Sequence, residues 1–121
     1  MAHLHSNWFY GDISPQAADQ LIYKSRQLGN GTFLVRESLT HPGDYALVYL
    51  YDERAHRALI RTERHYGVNV FYMTRSQLFN SLTEIVEHYR KTPLKTPHFD
   101  VLLTRPCPPV DGDAVGDFSS E

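Results

Sequence analysis

The chain has 121 residues, of which 41% are hydrophobic, 12% aromatic and 21% charged; this is room for one domain with its own core, too little for two, and too apolar for wholesale disorder. Its formal charge of −2 comes from 12 basic and 14 acidic residues, and Asp111, Asp113, Asp117 and Glu121 fall in a closing stretch without Lys or Arg. What precedes them carries only a slight basic excess, far from a nucleic-acid-binding footprint, and no apolar run approaches the roughly 20 residues that span a bilayer.

Residues 1–6 read as a leader, 7–107 as the domain, and 108–121 as a disordered acidic tail or linker. Ser14 is placed to cap a helix with Pro15 at its first position, and Ala17, Ala18, Leu21, Ile22 and Ser25 recur at helical spacing, so the first helix is expected over 15–26. Gly29-Asn-Gly31 lacks the Lys-Ser/Thr of a phosphate loop and precedes a strand, which makes it a turn. Strand-forming runs follow at Thr32–Glu37, Asp44–Tyr51, His56–Thr62 and Val68–Met73, separated by turn residues such as His41-Pro-Gly-Asp44 and Tyr66-Gly67. Ser81-Leu-Thr-Glu84 is a capping box, and Leu82, Ile85, Val86 and Tyr89 form one stripe, so the second helix is expected over 81–91, before Pro93. Short connections make the strands an antiparallel meander. The fold class is therefore α+β, a central antiparallel sheet flanked by two helices.

Within Thr32-Phe-Leu-Val-Arg-Glu37 the two-residue period sends Phe33, Val35 and Glu37 to one face and Thr32, Leu34 and Arg36 to the other. Both faces are apolar, as in a central strand covered on both sides. Arg36 then points under a helix layer, where a guanidinium without a partner is costly. An internal ion pair is one answer, but Glu37 alternates away from it. The other answer is an external oxyanion: Glu37, Ser38, Leu39 and Thr40 lead into a loop with two hydroxyls and several backbone N–H groups on the same rim. A planar fork meeting two phosphate oxygens suits that arrangement.

Six segments, Trp8-Phe-Tyr-Gly-Asp-Ile-Ser14, Gly31-Thr-Phe-Leu-Val-Arg-Glu-Ser38, Pro42-Gly-Asp-Tyr-Ala-Leu47, Phe79-Asn-Ser-Leu82, Glu84-Ile-Val-Glu-His-Tyr89 and Leu103-Thr-Arg-Pro-Cys-Pro108, together resemble the Src homology 2 (SH2) domain across nearly all of residues 8–107. Among its subfamilies, Ser38–Asp44 and Leu82–Leu94 are most similar to the domains of tyrosine phosphatases that carry paired copies. The resemblance implies binding of phosphotyrosine in a flexible peptide, with Arg36 gripping the phosphate at the pocket floor and Ser38, Thr40 and loop amides around Glu37 and Leu39 assisting. A deep floor is reached by the long Tyr ring and not by phosphoserine.

Two departures from the family pattern bear on that pocket. Pro15 stands where most members carry a second arginine. In the strand His56-Arg57-Ala58-Leu59-Ile60, the family's pocket histidine falls on His56 in one register, the favoured one, and on Arg57 in the other; a one-residue slip exchanges the faces. The resemblance also places Met73, Thr74, Tyr89 and Leu94 around a second pocket that reads the peptide residue about three after the phosphotyrosine, with ordinary core packing as the alternative for Tyr89. A long Arg61–Asn69 connection and a Pro93–Asp100 loop are expected to flank that groove.

His3, His5, His41, His56, His65, His88 and His98 are scattered, so no metal site is expected, and no cofactor. The single cysteine, Cys107, excludes an internal disulfide and points to a reducing, cytosolic compartment; in its Pro-rich setting it reads as an inert thiol, and no catalytic residue is expected. The function expected is a monomeric, non-enzymatic module that binds a tyrosine-phosphorylated peptide or protein, without nucleic acid or a membrane span. The alternative is an SH2-like docking module whose phosphate pocket is degenerate.

Overall fold

The structure, a computed structural model, describes residues 6–109; the bulk of the expected leader and tail lies outside the described residues. Helix α1 spans Pro15–Lys24, with Ser14 in extended geometry accepting the Ala17 N–H at 3.0 Å and Pro15 opening the first turn. It stops two residues earlier than the periodicity predicts. The Ser25 N–H forks between the carbonyls of Leu21 and Ile22, at 3.2 and 3.1 Å, and the chain tightens into a 3₁₀ turn over Arg26–Leu28. That turn buries Ser25 with its hydroxyl 3.4 Å from Cys107 Sγ.

Four strands follow, β1 (Phe33–Glu37), β2 (Tyr45–Tyr51), β3 (Arg54–His65) and β4 (Val68–Tyr72), antiparallel and in chain order. Strand β3 is twelve residues long and serves two partners: Arg54–Ile60 pairs with β2, and Arg61–His65 with β4. Asp44 fixes the changeover, its carboxylate accepting from Arg61 Nε at 3.0 Å and from the Thr62 N–H at 2.8 Å. The expected long Arg61–Asn69 connection is therefore a hairpin. Tyr66 and Gly67 turn it at φ 54° and 78°, the left-handed pair that matches strand twist.

Strand β1 is buried on both faces, as expected, but it ends the four-strand ladder instead of lying at its centre. Its outer edge is covered by residues 8–10 and 105–107. The Val35 N–H donates to the Trp8 carbonyl at 2.9 Å, and the Phe33 N–H to that of Arg105 at 3.1 Å, forming parallel bridges at Phe9 and Pro106. The closing segment Leu103–Pro108 is thus a bridge on β1, and no ladder forms there. Covering an edge in this way satisfies its backbone groups and removes a template for misassociation.

Helix α2 spans Leu82–Lys91, capped by Ser81 Oγ accepting the Glu84 N–H at 3.1 Å. The Glu84 carboxylate reaches back to the Asn80 N–H at 3.0 Å, one residue before the cap itself. Two short strands, β5 (Leu94–Lys95) and β6 (Asp100–Val101), close a small hairpin inside the segment expected to be loop.

Alternation along the strands builds two cores. Phe33, Val35, Leu47, Tyr49 and Ile60 pack with Leu82, Ile85 and Val86 of α2, whereas Leu34, Val48 and Leu50 pack with Ala18 and Ile22 of α1 and with Cys107. Each such large side chain, fully buried, contributes roughly 1.5–3 kcal/mol before its entropy cost. The result is the expected α+β sandwich, an antiparallel sheet between two helices.

Candidate functional site

On β1 the α1-facing positions are Leu34 and then Arg36, the last residue on that face before the strand ends. Arg36 is only 5% exposed. Its Nη1 donates to the Glu37 carbonyl at 3.2 Å, and its buried Nε has no partner. Burial, followed by the nearby Arg57, pulls its pKa below the usual arginine value, and Asp19 opposes the shift. Above it opens a pocket of about 290 Å³, lined by Pro15, Arg36, Ser38, Leu39, Thr40, His41, Ala46, Arg57, Ala58 and Leu59.

The loop after β1 folds back on itself to make one wall. The Ser38 N–H donates to the Asp44 carbonyl at 3.0 Å, Ser38 Oγ accepts the His41 N–H at 3.1 Å, and Thr40 Oγ1 lies 2.9 Å from His41 Nδ1. Ser38, Leu39 and Thr40 are thereby brought to the same pocket as Arg36. Glu37 is exposed and lines a separate cleft with Pro42 and Tyr45. Its carbonyl, and not its carboxylate, meets Arg36.

The strand register decides between His56 and Arg57, and it reverses the favoured expectation. Tyr49 pairs with His56 and Val48 with Arg57, so Arg57 shares the Leu34 and Arg36 face while His56 turns to the α2 side. There the His56 ring stacks on Tyr49 with centroids 5.6 Å apart, meets Phe99 edge-on at 5.1 Å, and sets Nε2 3.2 Å from the Tyr51 carbonyl. Arg57 and Leu59 line the pocket in its place. Arg57 is not free: its Nη2 donates to Asp19 Oδ2 at 2.5 Å.

Of the residues expected around a second pocket, Leu94 is buried in the α2-side core and Met73 and Tyr89 pack against it. Thr74 is exposed on the turn after β4, its hydroxyl 3.1 Å from that of Ser76. Tyr89 lies edge-on to His88 at 4.6 Å and tilted against Phe79 at 6.3 Å. Cys107 is buried, and burial raises its thiol pKa, so the sulfur stays protonated at neutral pH. Among the described residues no group of three or more His, Cys, Asp or Glu is placed to hold a metal, and no helix is long and apolar enough to cross a membrane.

Sequence reasoning missed His41 and Ala46 in the pocket lining and Asp19 beside it, whereas Leu59 follows from the Arg57 register. A signal for Asp19 existed, since it stands four residues after Pro15 and thus on the same helix face. Its partner Arg57 is 38 residues away, and nothing local announces the pairing.

A two-helix, antiparallel-sheet sandwich with a deep arginine under a hydroxyl-rich loop is the frame of a peptide-recognition module. The SH2 domain family profile matches residues 8–89, and the chain belongs to that family. It is 36% identical over 110 residues to 1-phosphatidylinositol 4,5-bisphosphate phosphodiesterase gamma-2 of Rattus norvegicus, covering 88% of this chain and 9% of the relative. It is 32% identical over 106 residues to the plc-3 enzyme of that name from Caenorhabditis elegans, covering 88% and 8%. To the tyrosine-protein phosphatase corkscrew of Drosophila melanogaster it is 34% identical over 88 residues, covering 72% and 10%. The solution structure of the SH2 domain of human VAV1 superposes with a TM-score of 0.70 at 26% identity, over 84% of this chain and 70% of that one. The chain spans about a tenth of the length of these enzymes. Their catalysis lies in other domains; an SH2 domain is a non-catalytic, phosphotyrosine-binding signalling module.

Proposed function

We propose that this chain recruits its parent protein to tyrosine-phosphorylated partners by binding the phosphate over Arg36. Arg57 supplies the second cation, from β3, where Pro15 leaves α1 without one, and Ser38 and Thr40 add hydroxyl donors from the loop. The observation that carries this reading is Arg36 itself, 5% exposed with a buried, unpartnered Nε under an open pocket. A buried guanidinium with an unmet donor calls for an anion. The peptide residue about three after the phosphotyrosine is read on the α2 side by Met73, Thr74, Tyr89 and Leu94, whose apolar members favour an aliphatic ligand side chain. The module acts as a monomer in the cytoplasm and needs no cofactor.

The test is a fluorescence-polarisation titration against a tyrosine-phosphorylated peptide library, with unphosphorylated and phosphoserine controls. Binding near micromolar, about −8 kcal/mol, is expected only with phosphate on tyrosine. Losing one partner of a buried charge pair costs about 2–5 kcal/mol, so Arg36→Ala weakens binding by roughly 30-fold to several thousandfold. A folded Arg36→Ala protein within threefold of the parent overturns the assignment. The second reading, a docking module with a degenerate phosphate pocket, draws on Pro15 and on the prior engagement of Arg57 by Asp19; phosphate-independent binding across the library selects it.

A further inference from the structure

Asp19 lies one helical turn beyond Pro15 on α1, at the spacing that stacks two side chains on one face. Its Oδ2 holds Arg57 Nη2 at 2.5 Å, and its Oδ1 is buried without a partner. Two guanidinium groups thus line the pocket, and a carboxylate beside it has claimed the more exposed one. Arg36, at the floor, keeps an unpartnered Nε.

We propose that Asp19 is a built-in competitor for the anion this pocket takes: it holds Arg57 while the pocket is empty and so moderates the affinity for a phosphate monoester. The inference rests on the phosphotyrosine reading above and deepens it. A phosphate monoester carries about −1.5 to −2 charge at pH 7. On entry it either draws Arg57 off Asp19, leaving a carboxylate with two unmet oxygens beside a near-dianion, or shares Arg57 with it. Either way the phosphate gains less from Arg57 than it would at a site without the acid, and binding is weaker for as long as Arg57 is there to be contested. Because the Arg57 and Asp19 side chains are 50% and 36% exposed, water screens the pair, and Asp19 tunes the site without closing it. Helix α1 thereby presents an acid in the region where the family usually presents a base.

The experiment uses phenyl phosphate as the probe, titrated into the full chain and followed by amide chemical shifts, for the parent, Arg36→Ala, Asp19→Asn, Arg57→Gln and the Asp19→Asn/Arg57→Gln pair. Asp19→Asn is isosteric, and its thermal unfolding is recorded alongside. Asp19→Asn is expected to bind phenyl phosphate about fivefold more tightly than the parent, at least twofold, and the gain is expected to vanish when Arg57 is glutamine. If the parent binds in an Arg36-dependent manner but Asp19→Asn changes affinity by less than twofold, or weakens it, Asp19 is a spectator or a positioning residue and the inference is overturned. A gain that persists in the Arg57→Gln background overturns the competition for Arg57. Absence of Arg36-dependent binding in every variant overturns the phosphotyrosine reading, and this inference with it.

Discussion

His56 and Arg57 are neighbours in sequence with opposite environments, and their substitution separates binding from stability. Arg57 is half exposed at the pocket rim and makes one ion pair, so replacing it removes a phosphate donor and little packing. Arg57→Gln is expected to weaken phosphopeptide binding about tenfold, the worth of one charge-assisted contact, with a urea midpoint close to the parent's. His56 stacks among Tyr49, Tyr51 and Phe99. His56→Ala is expected to cost about 1 kcal/mol of stability and to leave the preference for phosphorylated over unphosphorylated peptide intact. If His56→Ala abolishes phosphate selectivity in a folded protein, the face assignment is wrong. The position of Arg36 itself was legible from alternation in Phe33–Glu37, because a strand with apolar residues on both faces leaves only one place for a long cation. Alternation fails at 55–60, where Ala55, Ala58, Leu59 and Ile60 make both faces apolar and either register bury comparable side chains.

Among the elements, β1 depends on one residue before it. Gly31 sits at φ +89°, and a Cβ there lies 2.1 Å from the Leu102 carbonyl oxygen, while its own groups bond Leu50 and Thr104. Gly31→Ala adds a backbone strain and a clash with main chain that has no side chain to rotate away, and is expected to destabilise by about 3 kcal/mol in chemical denaturation. A loss below about 1 kcal/mol means that the closing segment does not press on β1 as described. At this scale helix and strand identities were readable, from the Ser14 and Ser81 caps and the β-branched runs. The errors were at ends and edges, and in the short β5–β6 hairpin that forms where a loop was expected. Whether Arg61–His65 is loop or strand depends on pairing with β4, and that pairing depends on Asp44 seventeen residues earlier. A second local clasp, Glu63 accepting from Tyr72, His65 and Arg75, holds β3 to β4 and to the turn beyond; the Tyr72 hydroxyl foremost drives the Glu63 carboxyl down to about 2.

Across the whole molecule, residues 8–10 and 105–107 meet on β1, and a hydrogen bond from the Tyr10 hydroxyl to the Cys107 carbonyl, 2.6 Å, joins residues 97 positions apart. Burial first, and the neighbouring Cys107 second, push the Tyr10 phenol up to about 12. The folded state thus favours the protonated phenol. Below the unfolded value near 10 both states hold the proton and the hydrogen bond stabilises fully; as pH rises from about 10 to 12 the unfolded chain releases it first, and stability falls. Tyr10→Phe is expected to lose about 1 kcal/mol at pH 8 and to flatten the decline between pH 10 and 12 in urea-denaturation midpoints. An unchanged alkaline slope assigns that decline to other groups.

The amino-acid sequence by itself determined the fold class, the order of the two helices and the four long strands, the depth of Arg36 and the loop of hydroxyls beside it, because each follows from short-range periodicity, caps and turns. The tertiary structure decided which face of β3 meets the pocket, that β1 is an edge covered by residues 8–10 and 105–107, and that Asp19 reaches Arg57. Those are pairings between segments distant in the chain, and a two-residue period cannot choose between registers that bury both faces equally well.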